Sequence, residues 1–326
     1  MGKRVVVTGA FSYIGAAITQ ELIRRGYLVH TLTNRRVPRE ESPISSAPLL
    51  FDVEHLSREL DRADAFVNTY WIRSPYAGQT FATAVANSQI LIEAAVRAGV
   101  RRFVHVSVSN ASPMTNLGYY RGKAEVEEMV RRCGLAYGIV RPTLVVGPAD
   151  VLTNNIAWFL RCFPAFLLPG GGTYRLQPVT LNDTGRVVAD VMEDSENREV
   201  DAAGPEVFSF RDYVCLIADA CKVRRWILNA PTWMTMLALQ LIELTLRDIV
   251  LTREELCGLE QELLVSQAPP LGHESVGAWL RLHGDQLGLQ YVNDLKRHFG
   301  RGRMDRVLIP DLSGELRWSE FPGHTT

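Results

Sequence analysis

The sequence predicts an α/β chain, a doubly wound parallel sheet followed by a smaller C-terminal lobe. Three observations carry this. Apolar runs alternate with amphipathic helical patterns from the N-terminus to about residue 143, the rhythm of a parallel sheet with crossover helices. A glycine-bearing turn, "TGAFSYIG" at 8–15, joins the first run to the first helix. After Pro142 the rhythm breaks into mixed short elements.

The elements follow in order. "RVVVTG" (4–9) is a continuous buried-strand run. "SYIGAAITQELIRRG" (12–26) sets Ile14, Ile18 and Leu22 on one helical face and stops at Gly26. "YLVHTLT" (27–33), "LLFDV" (49–53) and "ADAFVNTY" (63–70) read as strands. A long amphipathic helix spans 79–99 and ends at Gly99. "RRFVHVSVS" (101–109), a helix over 119–133 and "AYGIVRPT" (136–143) complete the alternation. Further on, 183–193 reads as a helix and 201–222 as strand, turn and helix. These imply a Rossmann-type domain over 1–145, to which later segments such as 175–200 can return. A substrate lobe over 146–300 and an irregular arm over 301–326 follow. Residues 231–251 are strongly apolar but broken by Glu243, Arg247 and Asp248. They are too short a run to cross a bilayer. They read as a buried or lobe-covering helix, with a membrane-surface helix or a lipid-substrate wall as the alternative.

Composition narrows the function. The 326 residues are 47% hydrophobic and 22% charged with a net charge of −1, so no global field draws the chain to nucleic acid or anionic lipid. "MGKRVVVTG" enters a strand at once, which suggests no signal peptide and a cytoplasmic place. Cys133, Cys162, Cys215, Cys221 and Cys257 are scattered without metal-ligand spacing. They read as reduced thiols, with no metal expected.

The turn at 8–15 has a physical reason for its residue types. Gly9 allows a sharp reversal, and Gly15 allows the helix to pack close and offer its N-terminal amides to a pyrophosphate. Ser12 stands where a middle glycine is common; it is small and can cap the helix. Phe11, Ser12, Tyr13 and Ile14 complete the expected cradle. The second strand ends in Asn34, Arg35 and Arg36 with no acid before Glu40. Two guanidiniums suit a 2′-phosphate, so NADP is favoured, with NAD as the alternative. Tyr119 and Lys123 lie four apart, on one helical face. An ammonium beside a phenol favours the phenolate, making Tyr119 a candidate proton carrier beside a hydride-accepting ring.

These features together resemble the short-chain dehydrogenase/reductase superfamily: TGxxxxxG after the first strand, Asp52-Val53 after the third and YxxxK after the fifth. "RPTLVVGPADVL" is similar to its extended and atypical branches. The wider pattern over about 3–300 resembles NAD-dependent epimerase/dehydratase-like proteins, akin to the nucleotide-binding accessory subunit of respiratory complex I and to NmrA-like proteins. The resemblance implies Tyr119 as catalytic tyrosine and Lys123 as the lysine that binds the nicotinamide ribose. It implies Asp52 and Val53 at the adenine, Asn68, Thr69 and Tyr70 along the cofactor, and Pro142, Thr143 and Leu144 flanking the nicotinamide. The chain departs from the pattern twice. Val108 occupies the usual Ser/Thr position, leaving Ser107 and Ser109 as neighbouring candidates. The fourth strand also ends in bulky "NTYWIR", where small residues are usual.

Trp71, Arg73, Asn154, Trp158 and Arg175 are the candidate substrate contacts, with Asn155, Arg161 and Gln177 beside them. His105, mid-strand, reads as a satisfied core histidine. The favoured function is an NADP-dependent oxidoreductase or epimerase-type enzyme acting on a small molecule that the sequence does not identify, the apolar helix at 231–251 hinting at a lipophilic one. The competing reading is a non-catalytic dinucleotide-binding sensor or assembly subunit. No nucleic-acid partner is expected, membrane contact is not favoured, and the oligomeric state is left open.

Overall fold

The computed structural model describes residues 3–35, 44–148 and 150–299 and the strands at 306–310 and 316–320. In chain order the first elements are β1 (Arg4–Thr8), α1 (Tyr13–Arg24), β2 (Leu28–Leu32), β3 (Ser45–Ala47), α2 (Val53–Glu59), β4 (Ala65–Asn68), α3 (Phe81–Ala98), β5 (Arg102–Val106), α4 (Gly118–Arg132) and β6 (Ala136–Pro142). Then come β7 (Leu144–Val146), α5 (Val151–Cys162), β8 (Ala165–Pro169), a 3-10 turn (Gly170–Gly172), β9 (Arg175–Leu176), β10 (Pro178–Thr180), α6 (Leu181–Glu193) and β11 (Arg198–Ala202). The chain closes with β12 (Phe208–Ser209), α7 (Phe210–Ala220), β13 (Trp226–Ala230), α8 (Thr232–Leu246), α9 (Arg253–Glu260), α10 (Val276–His283), α11 (Asp294–Phe299), β14 (Arg306–Pro310) and β15 (Leu316–Glu320).

The chain divides into two units, 1–142 with 184–202 and 305–326, and 143–183 with 203–304. In the first, seven parallel strands run in the order β11-β6-β5-β4-β1-β2-β3. Consecutive valines make β1 a fully buried strand, paired to β2 on one side and β4 on the other. Strand order therefore reverses between β1 and β4, and an open α/β sheet forms its ligand crevice at such a point, beyond the carboxyl ends. Phe66, Phe103, Leu91, Leu60, Val126 and Ile139 fill one face of this unit. Each boundary has a local cause. Thr80 caps α3, and Gly99, in the left-handed region, ends it.

Three sequence expectations are corrected. The strand expected at 49–53 lies earlier, at Ser45–Ala47. The chain then bends at Pro48, where Leu50 N–H bonds back to the Pro48 carbonyl. Asp52 turns it into α2 by accepting from His55 N at 2.8 Å. The arm expected to be irregular carries β14 and β15, an antiparallel pair. The apolar stretch expected as a buried or lobe-covering helix forms α8, which packs on β8 but in which Thr235 alone is buried. Its apolar residues surround the helix, so that one apolar stripe faces the protein and another faces outward. One side packs on β8 and the other is left uncovered. Arg36 lies outside the described residues.

The second unit holds three small two-stranded sheets, β10-β7 and β13-β8 parallel and β12-β9 antiparallel. Its core gathers Ile156, Leu160, Leu168, Tyr213, Ile217 and Leu280.

Candidate functional site

The turn after β1 is held by its own backbone. Gly9 has φ +66°, and its carbonyl accepts from Ser12 N at 2.7 Å. Ser12 is the N-cap of α1, its hydroxyl oxygen accepting from Gly15 N at 3.2 Å. A Cβ added at Gly15 would stand 2.1 Å from the Gly9 carbonyl oxygen and 2.7 Å from Ser12 Oγ. Gly15 is thus required by close approach, and Ser12 serves as a cap that leaves the turn intact. Phe11 turns inward and is buried; Tyr13 and Ile14 are half-buried.

The ends of β1 and β4 are tied together at the switch point. Thr8 Oγ1 donates to Asn68 Oδ1 at 3.2 Å and accepts from Thr69 N at 2.7 Å and Tyr70 N at 3.2 Å. Thr69 Oγ1 donates to the Thr8 carbonyl. Tyr70 accepts from Asn87 Nδ2 at 2.9 Å, and its ring packs on Phe51. At the end of β2 the Arg35 guanidinium reaches the Phe11 carbonyl at 3.3 Å, within the turn. Asn34, by contrast, spends both amide atoms on the Leu49 backbone, at 2.9 and 3.0 Å. Asp52 is exposed as the α2 cap, with Val53 half-buried beside it.

Tyr119 and Lys123 lie one turn apart on α4. Lys123 is buried. Its Nζ donates to the Val106 carbonyl at 2.7 Å and sits 4.7 Å from the centroid of the Trp71 ring. Burial pushes its pKa down to about 7, against the opposing pull of Glu127. Trp71 stacks on Phe81 and meets Tyr119 edge to face, at centroid distances of 6.4 and 6.1 Å. The indole fits because residue 122 is glycine; a Cβ there would meet Trp71 Cη2 at 3.0 Å. The indole Nε1 is buried without a hydrogen-bond partner among the described residues.

Ser107 is committed elsewhere. Its hydroxyl donates to Glu127 Oε1 at 2.6 Å, inside the protein. Glu127 also accepts from Arg141 at 2.8 and 2.6 Å and from Arg131 at 2.9 Å. Arg131 and Arg141 share Glu199, holding its carboxyl down at about 2. The Glu127–Arg141–Arg131 cluster was missed by sequence reading. The signal was present, since Tyr119, Lys123, Glu127 and Arg131 recur every fourth residue on one face of α4. Val108 is buried, and Ser109 is buried with its N–H on the Pro142 carbonyl at 3.0 Å. Thr143 is buried, and Leu144 opens β7. His105 is fully buried. Its Nδ1 lies 3.4 Å from Asn68 Nδ2, and its Nε2 has no partner among the described residues. Burial, with Lys123 and Arg141 near, keeps it neutral. The sequence reading of a satisfied histidine is therefore half right.

Most of the substrate candidates have structural work. Asn154 donates to the Gly147 carbonyl and to Asp150, at 3.2 and 3.1 Å. Asn155 pairs with the Val292 backbone, and Arg161 donates to the Leu287 and Gly284 carbonyls. Trp158 packs against Tyr291 at 5.3 Å. Arg175 forms an exposed pair with Glu262, and Gln177 donates to the Gly204 carbonyl. Asn154, Trp158 and Arg175 therefore each make contacts within the second unit. Arg73 is half-buried, two residues beyond Trp71.

A seven-stranded parallel sheet with a capped glycine turn at its switch point defines an NAD(P)-binding type of fold, and the comparisons agree. The model of the NmrA-like family matches residues 1–204, and the chain belongs to that family. It is 26% identical over 241 residues to NADH dehydrogenase [ubiquinone] 1 alpha subcomplex subunit 9 of Arabidopsis thaliana, covering 69% of this chain and 59% of that one. It is 23% identical to the NADH-ubiquinone oxidoreductase 40 kDa subunit of Neurospora crassa, covering 71% and 63%. The chain thus spans about three fifths of these relatives' lengths. Among solved structures it matches a nucleoside-diphosphate-sugar epimerase from Staphylococcus aureus with TM-score 0.69 and 15% identity, over 86% of this chain and all of that one. It also matches a UDP-glucose 4-epimerase from Thermus thermophilus in complex with NAD, with TM-score 0.57 and 20% identity, over 70% and 86%.

Proposed function

We propose that this chain binds a nicotinamide dinucleotide, NADP in preference to NAD, as a sensor or assembly subunit and not as a catalyst of turnover. The main-chain turn fits a pyrophosphate, because Gly15 lets α1 approach the Gly9 carbonyl and Ser12 leaves no bulk in the turn. Arg35, whose guanidinium reaches the Phe11 carbonyl beside the turn, supports NADP by its charge and forked geometry. The nicotinamide end fits less well. A bound nicotinamide supplies hydride chemistry, and a lysine that serves it must be open to the cofactor's ribose. Lys123 instead faces the Val106 carbonyl and the Trp71 ring. That double engagement is the observation that carries the reading. Ser107, tied to Glu127, and Val108 add to it. The relatives named as subunits of NADH dehydrogenase support a role inside an assembly.

One observation favours the enzyme instead. Tyr119 and Lys123 share a face of α4, and a lysine at about 7 exchanges protons near neutrality. Fluorescence titration with NADPH and NADH, followed by turnover on a panel of carbonyl substrates, separates the two readings. The binding role predicts saturable NADPH binding and no turnover by the wild type. Turnover lost in Tyr119→Phe would overturn it, and failure to bind either nucleotide would remove both readings.

A further inference from the structure

We infer that α8 is a membrane-surface element, which seats the second unit on a bilayer carrying anionic phospholipid. Trp233, Leu237, Leu241 and Leu244 lie at i, i+4, i+8 and i+11. At 100° per residue they share an arc of about 80°. They are 69%, 52%, 63% and 78% exposed. Single exposed leucines are ordinary, but a stripe of four large apolar residues along one helix is not. Trp226 and Leu228, i and i+2 on the strand that leads into the helix, are exposed as well.

Charge decides what meets this face. Arg224 and Arg225 precede β13, Arg247 closes α8 and Arg253 opens α9. All four are exposed and none makes an ion pair among the described residues, although Arg225 donates to the Arg224 and Arg161 carbonyls at 2.9 and 3.2 Å. The single acid on α8, Glu243, accepts from Val250 N at 2.9 Å in the segment after the helix, and at the helix start Glu260 accepts from Thr232 Oγ1 at 2.9 Å. An exposed apolar stripe closed by Arg247, with Arg253 beyond it, Arg224 and Arg225 ahead of β13 and tryptophans in the same segment, matches a lipid interface, apolar below and anionic at the headgroups. The helix spans 15 residues, about 22 Å, too short for the roughly 30 Å hydrocarbon core. It therefore lies in the interface plane. The reading is independent of any dinucleotide, since it uses no residue of the first unit. A partner protein of the same chemistry would cover leucines equally well. The unpaired arginines favour phosphate headgroups over a second copy of this chain, whose own arginines would face them.

The test is co-sedimentation of the full chain with phosphatidylcholine vesicles, with and without 30% phosphatidylglycerol. Binding is expected to the anionic vesicles, with a blue shift of tryptophan emission, and to weaken steeply in high salt. Arg224→Ser with Arg247→Asn should lower the partition by roughly tenfold or more, at about fivefold per arginine. Leu237→Glu, Leu241→Glu and Leu244→Glu together should lower it at least about tenfold while the thermal midpoint stays in place, since these side chains are exposed. Equal binding to both vesicle types, no binding to either, or a concentration-dependent dimer that the leucine variants dissolve would each overturn the inference.

Discussion

Gly15→Ala asks whether the turn after β1 is the cradle the fold requires. The added Cβ would lie 2.1 Å from the Gly9 carbonyl oxygen, 2.7 Å from Ser12 Oγ and 2.9 Å from the Gly9 carbonyl carbon. Two of those atoms are backbone, in a turn whose carbonyl also accepts from Ser12 N. The overlap cannot be relieved by rotating a side chain, so the turn or the start of α1 must move by about 1 Å. Overpacking of this kind costs about 1–3 kcal/mol, and the backbone partners place it toward the upper end. Alanine in a helix returns at most about 1 kcal/mol. The net loss is then about 1–2 kcal/mol, a fall of roughly 2–8 °C in the melting midpoint for a unit of this size. Dinucleotide affinity should fall further, by about tenfold or more, because the amides that face the pyrophosphate move with the turn. Gly26→Ala is the control. Gly26 has a positive φ, +82°, which the helical Gly15 does not, and a Cβ there meets no atom within 4 Å, so it should lose stability and keep affinity. Thermal scans and NADPH titration check both. A Gly15→Ala variant with wild-type midpoint and affinity would refute the argument that close approach fixes this residue.

Three further outcomes follow from the charges. Arg35→Glu should weaken NADPH about tenfold or more and NADH less than about threefold, by titration; equal losses would remove the preference for NADP. Glu127→Gln strands Arg141 and Arg131 beside a buried amide. It should cost about 3 kcal/mol in urea unfolding, and a loss under about 1 kcal/mol would show that Glu199 suffices alone. Lys123 has a folded pKa of about 7, below its ordinary 10.5. The unfolded chain therefore holds the extra proton between those values. The penalty is full below pH 7 and is relieved as pH rises toward 10.5, by up to about 1.4 kcal/mol per unit. Lys123→Met should flatten that rise between pH 7 and 9, and parallel stability curves would sink the claim.

The sheet was legible because its strands are continuous apolar runs separated by helices of clear period, as in "RVVVTG" and "RRFVHV". β11 was not read as a seventh strand. "REVDA" is an edge strand whose Arg198 and Glu199 are exposed, so it lacks the apolar run that marks the centre. The glycine turn was legible because two glycines at fixed spacing answer two steric needs. The pairing of Arg141 with Glu127 was not, since it joins residues fourteen apart on different elements. Periodicity on one helix speaks only for that helix. The same limit hid the exposure of α8, because an apolar run says that a residue avoids water and not whether the fold has anything to cover it.

The lowered pKa of Lys123 resembles the tuning of a catalytic group, yet its cause argues otherwise. The shift comes first from burial, and Glu127 pulls against it. Trp71 contributes to that burial, its ring 4.7 Å from Nζ. An arrangement that opened Lys123 to a ribose would readmit water and raise the pKa again, so the poised lysine and the reachable lysine belong to different states of Trp71. Trp71→Ala makes this testable. The cavity should cost about 3–5 kcal/mol, and water should enter it beside Nζ. The Lys123 pKa should then climb toward 10.5, and the rise in stability between pH 7 and 9 should shrink much as in Lys123→Met. A Trp71→Ala variant that keeps the wild-type pH slope would mean that the indole does not shelter the amine. Lys123 would then owe its shift to the strand end at Val106 alone, and the case against a catalytic lysine would lose its main support.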